Sequence, residues 1–222
     1  MSKQDGDTRK RLLRAATELF AATGFHGAKI RDIAERAGAN VAAANYHFGS
    51  KAALYLDVLR SQFGDIRGRL TARAGLPSEE RLARLPRSEL VALMHARLTT
   101  MLDILIGPQA GVWGRLMQRE MADPSEALPH IVEEFMKPQM AEMRLVLTHL
   151  FPTLPAAEVD RCVFSMIGQS LFYQTMRPAV LRFLGREEYP RGFARQVADH
   201  VLEFSLGGME RLAAQGGSRR AS

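Results

Sequence analysis

Residues 30–51, IRDIAERAGANVAAANYHFGSK, constrain this chain more than any other stretch, because they fit two short helical patterns around one glycine. Ile30, Ile33, Ala34 and Ala37 recur at three- and four-residue spacing, which aligns them on one helix face. Gly38 stops that pattern, since helices commonly end on a residue at positive φ, which glycine tolerates best. Asn40 can cap a second helix through its side-chain oxygen. That helix has room only for residues 41–48 before Gly49 and Ser50 supply the next stop and start. Two helices, a tight turn and a third start make helix-turn-helix grammar, and the small Ala34 lets the two helices cross closely.

A further helix is expected upstream, over residues 8–23, with Leu12, Ala15, Ala16, Leu19 and Phe20 on one face; Gly24 ends it and Phe25 folds back on its last turn. About 45 residues bury little surface, so this three-helix unit should lean on a larger body. Charge separates the two parts. Residues 1–75 hold 13 Lys or Arg against 7 Asp or Glu, whereas residues 76–222 hold 17 of each, so the whole +6 excess is N-terminal. A phosphate backbone rewards such asymmetry through counterion release. The run Arg9, Lys10, Arg11 and Arg14 taken alone reads as a solvated helix face, but beside a helix-turn-helix it favours DNA.

The run TRKRLLRAATELFAATGFHGAKIRDIAERAGANVAAANYHFGSKAALY carries G-F after the first helix, then D-I-A, the A-G turn and Y-H-F-x-S-K. Over the first ~60 residues this set resembles TetR-family transcriptional regulators. The wording GANVAAANYHF and the later LFYQTMRP also resemble the CecR-type subgroup. Two positions depart from the family pattern: Lys29 stands where a Thr or Ser commonly caps the second helix, and Asn45 where many members have a tyrosine. The resemblance implies an all-α fold: a three-helix DNA-binding domain over residues 1–50 (helices 8–23, 30–37 and 41–48), a larger helical effector-binding and dimerisation domain over 51–215, and a flexible tail at 216–222.

The second helix of the motif is short of long side chains. Val41, Ala42 and Ala43 offer methyl groups suited to thymine methyls in the major groove. Asn40, Asn45 and Lys29 are expected to carry polar readout, Tyr46, His47 and Lys51 to hold the phosphate backbone, and DNA shape to add selectivity. Ile33, Ala44 and Phe48 read as core, and His47 also fits a polar gap beside it.

Past Ser50 the pattern stays helical: a long helix over 51–72, a loop with one turn through GLPSEERLARLP, and helices over 88–106 and 109–122. Pro129 and Pro138 break the segment 124–151, and long helices follow at 156–176 and 190–214, bridged by residues 177–185. Residues 1–7 and 216–222, polar and small, read as loose ends. No apolar run reaches the ~18 residues of a membrane helix and no secretory signal opens the chain, so a cytoplasmic, non-membrane protein is expected. The single cysteine, Cys162, lies in an apolar run and reads as a buried thiol; no disulfide, metal site or cofactor is expected.

On the final helix Phe193, Val197, Val201, Phe204 and Leu212 form one stripe, while Leu202, Leu206 and Met209 lie on another side. A helix buried all round explains this, as does a partner chain. In TetR-like proteins the last two helices form a four-helix dimer interface, which the resemblance carries to 156–176 and 190–214. A two-fold dimer requires a near-palindromic operator with reading helices ~34 Å or modestly more apart. On the helix over 88–106, Leu90, Leu93, Met94, Leu98, Met101 and Leu105 share a face into which Arg97 falls. A buried guanidinium needs an anion, either an internal Glu120 or Glu142 or an acidic group on a ligand. With Arg97, the candidate effector contacts are Met101, Trp113, Gln118, Met140, Gln169 and Tyr173, each also readable as structural.

The family pattern implies a repressor released when a small molecule shifts the dimer to a form that fits its operator poorly. An enzyme is disfavoured. The six histidines show no close ligand spacing, Gly168-Gln169-Ser170 lacks a second glycine, and no phosphate-cradling loop is present. A DNA-binding structural protein without an effector is the other alternative; it would bind many sequences alike.

Overall fold

The computed structural model describes residues 3–107 and 111–220, and every regular element among them is helical. In order they are α1 (Lys3–Gly27), α2 (Ile30–Arg36), α3 (Val41–Phe48), α4 (Lys51–Ala74), α5 (Glu79–Leu82), α6 (Arg87–Ile106), α7 (Val112–Ala122) and α8 (Leu128–Ile131). A π-helical turn, Val132–Met136, leads into α9 (Lys137–Leu150), followed by α10 (Ala156–Thr175), α11 (Arg177–Leu184) and α12 (Phe193–Arg220).

The chain divides into two compact units, Met1–Ile66 with Gly111–Phe135, and Arg67–Ala110 with Met136–Ser222. The first is larger than a head ending at residue 50, because α1 packs chiefly against α7. Leu12, Ala16 and Phe20 of α1 are fully buried, and Arg119 of α7 donates to the Ala22 carbonyl at 2.9 Å near the end of α1. The need of a small three-helix unit for more apolar cover is met by α7 and the start of α4.

The second unit is built on α6 packed against α12, with α9 and α10 completing the layers. Its core joins Met94, Leu98 and Leu102 to Val146, Leu147, Val163, Met166, Val197 and Val201. Met94, Met143, Met166 and Met209 are core residues of this unit.

Several expected boundaries move. Helix α1 starts at Lys3, not Thr8, because Asp5 of its first turn reaches His47 of α3 at 3.3 Å and gives the polar start a tertiary anchor. Gly24, at φ 73°, kinks the helix where a stop was expected, and one more turn continues to Gly27. The expected helix over 109–122 is described from Val112; residues 108–110 lie outside the described residues. Residues 177–184, expected as a bridge, form α11, with a proline in its first turn and Gly185 as its C-cap. Pro129 and Pro138 likewise sit in the first turns of α8 and α9, and the π-helical turn absorbs the register change just before Pro138, which lacks an N–H. The backbone of α12 runs to Arg220 where a loose tail was expected; Met1, Ser2, Ala221 and Ser222 lie outside the described residues. On α12 the buried line is Ala194, Val197, Ala198, Val201, Leu202 and Met209, while Phe204 is exposed, so the two expected stripes are partly exchanged.

Candidate nucleic-acid interface

Helix α3 keeps its expected eight residues because both ends are fixed locally. Asn40 adopts the extended conformation of an N-cap, and its Oδ1 accepts from the Ala43 N–H at 2.7 Å. Gly38, at φ 61°, makes the turn from α2, and the Ala39 N–H closes it on the Ala34 carbonyl at 2.9 Å. At the far end the Gly49 N–H bonds the Asn45 carbonyl, and Ser50 Oγ accepts from the Ala53 N–H to start α4. Ile33, Ala34, Ala44 and Phe48 are buried, as the core reading required.

The opposite face of α3 is open. Val41, Ala42, Asn45 and Tyr46 are exposed, Tyr46 by 77 %, and Ala43 is half-buried. A short helix with one face locked into a core and the hydrogen-bonding side chains of Asn45 and Tyr46 projecting from the other can enter a groove. Lys29 is exposed and occupies the N-cap position of α2 without a side-chain cap, as its departure from Thr or Ser implied.

Two expected contacts are corrected. The His47 side chain is only 6 % exposed and its Nε2 lies 3.3 Å from Asp5, so it fills the polar gap between α3 and α1 instead of facing solvent. Lys51 is turned inward: Nζ donates to the carbonyls of Phe25 at 3.0 Å and Ala28 at 3.2 Å, and sits 4.4 Å from the Phe25 ring centroid. Its charge closes the loop after α1, with the dipole and the π face both favouring a cation there. The basic run on α1 is similarly divided. Arg9 pairs with Asp57 at 2.5 Å and covers the Phe48 ring, and Arg11 lies 3.5 Å from Asp7, whereas Lys10 and Arg14 are exposed. Arg31, in the first turn of α2, is a further exposed cation that the pattern reading passed over. Its position about two turns ahead of the Gly38 turn was the available signal.

The same unit holds a buried polar cluster that periodicity does not reveal. The Tyr55 hydroxyl of α4 donates to Glu120 Oε2 of α7 at 2.9 Å, and Glu120 also accepts from the Ser125 N–H and hydroxyl. Burial and the Glu120 carboxylate push the Tyr55 phenol far above its usual range. Phe20 and Phe25 pack on the Tyr55 ring at 4.7 and 5.2 Å.

The expected effector residues do not gather. Trp113 and Gln118 belong to the N-terminal unit, where Trp113 packs edge-on against Phe63 and Phe135 and Gln118 is exposed. In the C-terminal unit Met101 and Met140 pack against the core. Gln169 is half-buried, and the Tyr173 ring meets Phe193 while its carbonyl accepts from the Tyr189 hydroxyl. Arg97 is 4 % exposed and its Nη1 lies 2.6 Å from Glu142 Oε2, so the internal partner is Glu142, while Glu120 serves Tyr55. Two surface grooves, about 490 Å³ beside Leu76, Leu85 and Leu93 and about 360 Å³ beside Lys10, Arg14 and Gln62, are lined by none of these seven residues. Among the described residues, no helix is long and apolar enough to cross a membrane.

Comparison with known proteins matches this architecture piece by piece. Residues 12–58 match the model of bacterial regulatory proteins of the tetR family, and residues 87–209 match that of the C-terminal domain of the HTH-type transcriptional dual regulator CecR. The HTH-type transcriptional regulator RutR of Escherichia coli strain K12 is 46% identical over 52 residues, 23% of this chain and 24% of RutR. The HTH-type transcriptional activator FasR of Mycolicibacterium smegmatis is 44% identical over 54 residues, 24% of this chain and 25% of FasR. The chain thus matches about a quarter of the length of these curated relatives. The crystal structure of the regulator FadR from Bacillus subtilis in complex with stearoyl-CoA has the same fold, with a TM-score of 0.62 at 16% identity, over 90% of this chain and 98% of FadR. With a helix-turn-helix in place and the C-terminal family model spanning more than half of its length, the chain belongs to the TetR family of bacterial regulatory proteins and carries a CecR-type C-terminal domain.

Proposed function

We propose that this protein is a cytoplasmic, ligand-responsive transcriptional regulator that binds a near-palindromic operator as a homodimer, represses in the free state and is released by a small molecule. The observation that carries the proposal is the open face of α3, where Asn45 and Tyr46 project from a helix capped by Asn40 and seated on Ile33 and Phe48. In this reading Asn45, with Val41, Ala42 and Ala43, reads bases in the major groove, and Tyr46 and Lys29 hold phosphates. Arg31 joins the phosphate contacts. Asn40 fixes the start of α3 as its exposed cap, and His47 and Lys51 hold its orientation from inside. The DNA-binding role falls to residues 1–50 and the effector and dimer roles to 51–215.

Dimerisation is supported by exposed apolar side chains on the last two long helices. Phe164, Leu171 and Phe172 share a face of α10, and Phe204 stands exposed on α12 near the exposed Gly207 and Gly208. Large aromatic groups in water mark a surface that gains by being covered. The FadR structure binds stearoyl-CoA within a fold of this kind, which favours an organic effector here as well. FasR is an activator and the CecR description names a dual regulator, so the sign of control is tested directly.

A gel-shift titration of the purified protein against genomic fragments, followed by footprinting, tests the proposal. One fragment should bind orders of magnitude better than random DNA, with a symmetric footprint. Equal binding to every fragment would establish the structural DNA-binding alternative. Transcription from the bound fragment should fall when the free protein is added.

A further inference from the structure

Arg97 is held in an unusual way for a structural ion pair. Its Nη1 donates to the carbonyl of Ala74, the last residue of α4, at 3.1 Å, and lies 2.6 Å from Glu142 of α9; its Nη2 donates to Gln139 Oε1 at 3.3 Å. Its Nε is buried and has no hydrogen-bond partner among the described residues. The two ions of the pair are unequally placed: Arg97 is 4 % exposed, whereas Glu142 is 44 % exposed. Burial pulls the Arg97 pKa down against the opposing pull of Glu142, so the guanidinium needs an anion while the carboxylate can rehydrate cheaply.

A groove of about 490 Å³ is lined by chain neighbours of this centre, though not by Arg97 or Glu142 themselves. It is lined by Gly75, which follows Ala74, and by Glu89 and Leu93, which precede Arg97 by two turns and one turn on the same stripe of α6. Leu76, Pro77 and Leu85 give it an apolar wall. Its size suits a small organic ligand.

We propose that Arg97 is an anion receptor occupied in the free protein by Glu142, and that an amphipathic organic carboxylate exchanges with Glu142, its apolar body lying in the groove along Leu76, Leu85 and Leu93. The exchange keeps the buried guanidinium neutralised throughout, so the swap leaves no bare charge inside. It also alters what Arg97 holds at the C-terminus of α4, the helix that begins at Lys51 immediately after the helix-turn-helix. The inference rests on the ligand-responsive reading above and gives it a ligand class.

Calorimetric titration of the full-length protein with octanoate and with octanol, alongside gel shifts on its operator, tests this. Octanoate should bind and weaken the operator complex, and octanol should do neither. In Glu142→Ala, with the internal competitor gone, octanoate should bind at least about tenfold tighter and acetate alone should raise the melting temperature. Glu142→Gln, which keeps the side-chain volume, should shift octanoate affinity in the same direction. Arg97→Met should lose octanoate binding. Unchanged octanoate affinity in both Glu142 variants, or binding retained in a folded Arg97→Met protein, overturns the inference. An operator complex that forms normally but ignores octanoate defeats only this inference, whereas absence of any preferred operator defeats the regulator reading and leaves the calorimetry to judge Arg97.

Discussion

The Tyr55 hydroxyl and the Glu120 carboxylate meet at 2.9 Å, sixty-five residues apart in sequence and both nearly inaccessible to water. Among the described residues, Glu120 is held by Tyr55 and by the N–H and hydroxyl of Ser125, with no cation in the cluster. The cluster ties α4 to α7 inside the N-terminal unit. Tyr55→Phe should therefore cost about 1.5–3 kcal/mol, the range for a hydrogen bond to a charged group, in urea unfolding monitored by circular dichroism. A cost near zero would mean that Ser125 alone satisfies the carboxylate.

Asn40 and Asn45 stand five residues apart and should separate cleanly. Asn40→Ala removes the cap of α3 and should lower stability by about 1 kcal/mol. Asn45→Ala, on the exposed face, should leave the melting temperature within a degree or so, since surface substitutions of this kind stay within about 0.5 kcal/mol. Its effect should appear in operator preference, read by selection of bound sequences from a random pool.

Tyr46 and Lys51 are neighbours in the family motif but differ in what they touch. Tyr46→Ala should weaken binding to operator and random DNA alike with stability intact. Lys51→Ala should lower the unfolding midpoint, because two carbonyls lose their donor and the Phe25 ring its cation. Comparable thermal stability of Lys51→Ala and the parent protein would contradict the inward assignment.

Acid should reveal the Arg60–Glu134 pair. Arg60 donates twice to Glu134, at 3.1 and 3.0 Å, and His130 lies 3.1 Å from the same carboxylate. Those hydrogen bonds, Arg60 first, hold Glu134 down to about 2 from an ordinary 4.5. The unfolded chain takes up this proton first as pH falls, so the stabilisation is complete above about pH 4.5 and disappears on the way to about pH 2. Unfolding of Glu134→Gln and the parent should differ at pH 6 and converge near pH 2.

Phe204→Glu places a charge on the exposed face of α12 and should shift sedimentation from dimer to monomer. Operator affinity should fall sharply with it, because one three-helix head makes few base contacts. A Phe204→Glu protein that stays dimeric would move the interface elsewhere.

What the sequence disclosed and what it hid divide along contact range. The ends of α3 were readable because Gly38, Asn40, Gly49 and Ser50 act through bonds to residues within five positions. Burial of Ile33, Ala44 and Phe48 followed from helical spacing alone. The attachment of α7 to α1 was not readable, since Arg119 finds the Ala22 carbonyl across nearly a hundred residues. Lys51 and His47 misled for the same reason: motif position identifies the residue, but the carbonyls of Phe25 and Ala28 and the carboxylate of Asp5 decide where each side chain turns. At Arg97 periodicity established burial and the need for an anion, yet choosing Glu142 over Glu120 required the fold.

The aromatic stack of Phe63, Trp113 and Phe135 carries a practical dividend. Trp113 is the sole tryptophan of the chain, and it touches both phenylalanines within the unit that also bears α3. Its emission is thus a native optical gauge of that unit, reporting on repacking around the lower part of α4 with no dye attached and no second indole to confuse the signal.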